Sequence, residues 1–210
     1  MNTRQAESKQ TEAAYAAIAQ FFDAWGLPHA RKLLYRILKA ALHTKAIKID
    51  PSRVLYFFKT FETLLNAALI IHRNEGERKE AILDLGEEEY PDMSNYPQYF
   101  GRHLSSHAWL FFPRALNVKE YANPYLVCKK IARYGQEEKW KFLISELQDY
   151  CFYKASFAEC GEEFNILVLH RLLQKLLEAA HLVEVRAIME VDGRKRLKGP
   201  LQETLKTPST

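Results

Sequence analysis

Apolar residues recur along most of the chain at the three- and four-residue intervals of an α-helix. From about residue 5 to Trp25, the positions Ala14, Tyr15, Ile18, Phe21, Phe22 and Trp25 share one face, and Gly26 with Pro28 ends the run. A second helix is predicted after Pro28, with Ala30, Leu33, Leu34, Ile37, Leu38 and Ala41 turned inward. Asp50-Pro51 opens a third, because aspartate can cap free backbone N–H groups and proline tolerates the first helical position. Its inner face is Val54, Phe57, Phe58, Phe61, Leu64, Leu65 and Ala68, and its wet face is Lys59, Glu62, Thr63 and Asn66.

The pattern breaks between residues 74 and 116. Gly76, Gly86, Pro91, Pro97, Gly101 and Pro113 punctuate this stretch, and only a turn or two of helix is predicted near 78–85 and 102–111. It is rich in aromatics, with Tyr90, Tyr96, Tyr99, Phe100, Phe111 and Phe112 among them. A long connection that brings its own aromatics is expected to be a packed, specific loop.

Helical order resumes at Asn117, which with Glu120 resembles a capping box. Asn123-Pro124 starts a further helix and Gly135 stops it; the next has Trp140, Leu143, Ile144, Leu147, Tyr150 and Cys151 on one face. The last helix is predicted from near Gly161 and is the most apolar, with a polar stripe of Arg171, Gln174, Lys175 and Glu178, as suits a central core helix. After Leu182 the chain reads either as a helix end with a frayed tail or as a short hairpin turning on Asp192-Gly193.

The predicted fold is therefore all-α: an irregular bundle of six or seven helices with a long aromatic-rich central loop and a short C-terminal β-hairpin as an option. Residues 1–190 are expected to form one helical domain, with subdomains of about 1–73 and 117–190 joined by the irregular 74–116. Residues 191–210 read as a basic, disordered tail.

Composition narrows the class. The chain has 210 residues, of which 48% are apolar and 27% charged, as in globular proteins. No purely apolar run approaches the roughly 18 residues of a membrane span, and the polar N-terminus lacks a signal peptide's apolar stretch. Cys128, Cys151 and Cys160 follow no metal or redox spacing. These features predict a cytoplasmic protein with no membrane partner. The net charge of +4 equals that of residues 193–210, where Arg194, Lys195, Arg196, Lys198 and Lys206 face Glu203 alone. The body of the chain is neutral.

Three patterns suggest chemistry. The first is Gly101-Arg102-His103-Leu104-Ser105-Ser106-His107, which resembles the arginine, polar residue, then histidine motif of HEPN-type helical ribonucleases. The resemblance covers this motif only, and the family usually carries it on a long helix, whereas Pro113 limits this one. It implies metal-independent RNA cleavage, with Arg102 stabilising phosphate charge, His107 transferring a proton and His103 in the polar slot. The chemistry is apt, since histidine titrates near neutrality and a guanidinium grips phosphate through two hydrogen bonds. The plainer reading is that Arg102 and His107 pin the central loop through acids or carbonyls. His103 and His107, four apart, would also share a helix face able to chelate a metal, with Asp92 or Glu89 as a third ligand. Neither a metal nor a cofactor is expected.

The second pattern is a charge asymmetry. Residues 29–49 hold Arg31, Lys32, Arg36, Lys39, Lys45 and Lys48 and no acid, and His29, Lys32, Arg36, Lys39 and His43 form one helical stripe. Residues 74–92 hold eight acids and two bases, so the two segments suit each other within the fold or across a dimer. The basic helix and basic tail also suit nucleic acid. The third pattern is that tail: a hairpin tipped with Arg194, Lys195 and Arg196 would resemble a winged-helix wing, although the preceding helices are too long for that module. The leading expectation is a non-enzymatic interaction or regulatory protein whose partner is another protein or a second copy of itself. Tyr99, Arg102, His103, His107, Lys32, Arg36 and Lys39 are its candidate binding residues.

Overall fold

Several helix starts in this chain are set by side chains that replace missing backbone partners. In the computed structural model, which describes residues 3–43, 46–83, 108–153, 165–191 and 194–197, the Asp50 carboxylate accepts from Ser52 N at 3.0 Å and opens α3 (Pro51–Arg73). Asn117 and Glu120 form a full capping box at the start of α4 (Val118–Ala122). Asn165 caps the last helix, whose first residue is Ile166 and not a position near Gly161. That last helix is α7 (Ile166–Ala187), and the others are α1 (Thr3–Ala24), α2 (Leu27–Leu42), α5 (Tyr125–Tyr134) and α6 (Glu137–Phe152). The fold is an all-α bundle.

Two helices do most of the burying. α3 packs on α1, α5 and α6, and its Phe57 and Phe61 rings stack 5.5 Å apart beside Phe21 of α1. By length and apolarity α3 could cross a membrane, yet half of that stretch is buried inside the bundle. α7 touches α1, α2, α3, α4 and α5. Every residue of α7 from Lys175 to Val183 is buried, so this stretch of the helix is enclosed all round. One hydrophobic cluster contains residues of α1, α2 and α3 together with α5, α6 and α7.

The described part of the central segment has two short 3-10 turns, Lys79–Ala81 and Ala108–Phe111, within the stretches where a turn or two of helix is expected; residues 84–85 and 102–107 of those stretches lie outside the described residues. α7 continues past Leu182 to Ala187 and then enters a two-stranded antiparallel hairpin, β1 (Ile188–Val191) with β2 (Arg194–Leu197). Ile188 lies opposite Leu197, and Val191 opposite Arg194. Asp192 and Gly193 lie outside the described residues. β2 rests on α1, so Arg194–Leu197 belongs to the fold and not to a free tail.

Candidate functional site

Burying one side of α2 forces its other side into water. Leu27, Ala30, Leu33, Leu34, Ile37, Leu38 and Ala41 are buried, which leaves Lys32, Arg36 and Lys39 exposed along the opposite stripe, with His29 and His43 exposed beside them. Tyr35 stands at the edge of the stripe, 54% exposed. Lys32 and Lys39 have no carboxylate partner among the described residues; Arg36 donates to the Lys48 carbonyl at 3.0 Å. The predicted basic stripe is thus formed as a surface. The described acids of 74–83 do not pair with it.

Its upper end is braced by aromatic packing. Arg53 Nη2 lies 2.6 Å from His29 Nε2, and the His29 ring stacks on buried Trp25 at 5.8 Å. Because a guanidinium can only donate, His29 Nε2 must accept, so the ring is held neutral. Burial, then the charges of Arg53 and Lys32, lower the His29 pKa in keeping with that geometry.

Arg31 follows a different path from its neighbours. It lies off the stripe and turns toward the bundle, donating to the Leu110 carbonyl at 2.9 Å, the Phe112 carbonyl at 2.8 Å and Glu178 Oε1 at 2.6 Å. The second oxygen of Glu178 accepts from the backbone N–H groups of Arg114 and Ala115, at 2.8 and 2.7 Å. Four hydrogen bonds from one ion pair therefore clamp the segment 110–115 between α2 and α7. Burial lowers the basicity of Arg31, Glu178 opposes that, and the charge of Arg114 lowers it further. Beside the clamp lies a cleft of about 370 Å³ lined by Arg31, Lys32, Tyr35, Leu110, Arg114 and Glu178, among others.

Glu178 and Lys175 correct the expected polar stripe of α7. Only Arg171 of that stripe is exposed; Gln174 is half-buried, Lys175 6% exposed and Glu178 2% exposed. Lys175 binds both oxygens of buried Glu120, which also accepts from Lys130 at 2.5 Å and Asn117 N at 2.9 Å. Burial raises the Glu120 pKa, but the bonds from Lys130, Lys175 and Asn117 more than offset this and hold it below its ordinary value. A buried charge is tolerable only with such partners, and α4 and the 110–115 segment supply them.

The remaining described candidates are shifted away from reactivity. Burial pushes the Cys128 and Cys151 thiols up to about 12. The Tyr15 and Tyr125 hydroxyls share a 2.6 Å hydrogen bond, and burial pushes Tyr125 up to about 12 and Tyr15 higher. His181 is buried between Phe22 and Phe111, and His170 is half-buried. Among the described residues no three side chains of metal-binding type converge.

Tyr99, Arg102, His103 and His107 lie outside the described residues, as do Glu89 and Asp92, and with them the ribonuclease-like and metal arrangements. Sequence reasoning missed the clamp, since Arg31 read as one more cation of the basic segment 29–49 and Glu178 as part of a polar stripe. The available signal was an acid in the most apolar helix of the chain. Searches against family models, curated proteins and solved structures return no match to this chain.

Proposed function

We propose that this protein is a non-enzymatic interaction module that docks an acidic segment of a protein partner on the exposed face of α2. The observation that carries the reading is the exposed row Lys32, Arg36 and Lys39, with no acid between residues 29 and 49 and Tyr35 at its edge. Cations in a row, with no carboxylate partner among the described residues, attract an acidic partner and speed its approach. Tyrosine beside them offers a rigid amphipathic surface of the kind enriched at protein interfaces. A protein partner fits better than nucleic acid because the chain's net charge of +4 is matched by the residues after Asp192, leaving the body neutral.

The test is a titration of the full chain with a labelled peptide rich in glutamate and leucine, in parallel with a single-stranded RNA. The peptide should bind, weaken as salt rises, and be lost when Lys32, Arg36 and Lys39 are reversed together to glutamate. Absence of peptide binding at low salt, or tighter binding of RNA than of peptide, overturns the reading.

A further inference from the structure

We infer that the cleft beside α2 is the anchoring subsite of this interaction, taking one carboxylate of the partner together with a neighbouring apolar side chain. The inference rests on the reading of α2 as a docking face. The cleft has three cations, Arg31, Lys32 and Arg114, and a single acid, Glu178. That acid is fully occupied: one oxygen holds Arg31 and the other holds two backbone N–H groups. Arg31 is occupied as well, by Glu178 and the carbonyls of Leu110 and Phe112.

Lys32 and Arg114 are left without a carboxylate among the described residues, in the same cleft. Arg114 stands close enough to Arg31 for the two cations to repel, so an incoming carboxylate relieves an opposition built into the fold. Of the remaining walls, Pro28, Tyr35, Leu110 and Ala115 are apolar, and Gln174 adds one uncharged polar side chain. Tyr35 and Leu110 are 54% and 44% exposed, a large apolar pair next to unpaired charge. At about 370 Å³ the cleft lies at the small end of ligand pockets, roughly 300–1,000 Å³, which suits one or two side chains and not a broad surface. The clamp matters because it fixes the backbone of 110–115, so that Leu110 and Arg114 are held in place before anything binds.

Four single variants separate the cleft from the stripe. Arg114→Glu and Gln174→Glu alter the cleft; Arg36→Glu and Lys39→Glu alter the stripe outside it. Arg114 is exposed and Gln174 half-buried, so both accept a carboxylate, and circular dichroism with thermal melting verifies each fold. Binding is read by fluorescence anisotropy with a labelled amphipathic peptide of about twenty residues, glutamate and leucine alternating at helical spacing. Each cleft variant should weaken binding about tenfold, and so should replacing the peptide's leucines by serine. Wild-type affinity in both cleft variants, with loss in the stripe variants, overturns the anchor and leaves the docking face standing. Wild-type affinity in all four variants overturns both.

Discussion

Lys175 and Lys39 are the same side chain on two helices of one bundle, and they have opposite fates. Lys175 is buried against α4, where its ammonium meets both oxygens of Glu120. Lys39 stands in water with no carboxylate near it among the described residues. Arg31 and Arg36 repeat the contrast within a single helix: one is clamped into the core by Glu178, while the other, among the described residues, donates to the Lys48 carbonyl. Buried charge here has several fixed partners and little freedom, so it contributes to a unique structure. Exposed charge on α2 has almost none, so it remains available to a partner. A buried ion is costly to strand, whereas an exposed one costs little to remove.

The contrast breaks most visibly at Glu178. Glu178→Ala leaves the Arg31 guanidinium and two backbone N–H groups without their acceptor, and should destabilise the fold by about 3–5 kcal/mol, read from the shift in urea midpoint. Glu120→Ala strands buried Lys175 and should cost about as much, whereas Lys175→Met should cost distinctly less, because Glu120 keeps Lys130 and Asn117. If Glu178→Ala and Glu120→Ala unfold at the wild-type midpoint, the two regions do not differ as argued.

Acid provides a second probe of the buried side. The folded pKa of Glu120 lies below 4.5, so the unfolded chain binds more protons there; the stability it contributes is present above about pH 4.5 and lost as pH falls through the folded value. Urea midpoints followed from neutral pH to about pH 3 should fall, and Glu120→Gln should flatten that fall.

A smaller effect concerns the end of α3, where Glu75 has a positive φ of 49°. Glycine adopts that conformation freely, so Glu75→Gly should raise stability by roughly 0.5–1 kcal/mol, and a lower melting temperature would contradict this. The smallest effect belongs to the exposed face. Lys32→Ala and Lys39→Ala should each change stability by less than about 0.5 kcal/mol while lowering affinity for the acidic peptide.

How much was legible follows the range of the forces involved. Asp50, Asn117 and Asn165 cap helices through atoms two or three residues away, so α3 and α4 were readable from the chain. The α2 stripe was also readable, because burying its apolar face leaves only one place for Lys32, Arg36 and Lys39. The hairpin was half readable, since Asp192-Gly193 signals a turn but β2 needs α1 to rest on. The clamp was not readable: Arg31 and Glu178 lie 147 positions apart, and helical period says which face a residue is on, not what that face meets.

The amino-acid sequence by itself determined the class of the fold, most helix limits and the basic face of α2, because those depend on periodicity, caps and local charge. Tertiary structure alone decided which charges are free. Lys175 and Glu178 occupy what reads as a wet stripe, and only the arrival of α4 and the 110–115 segment turns that stripe inward. Their carboxylates and N–H groups replace water, and that exchange separates a structural charge from one that can meet a partner.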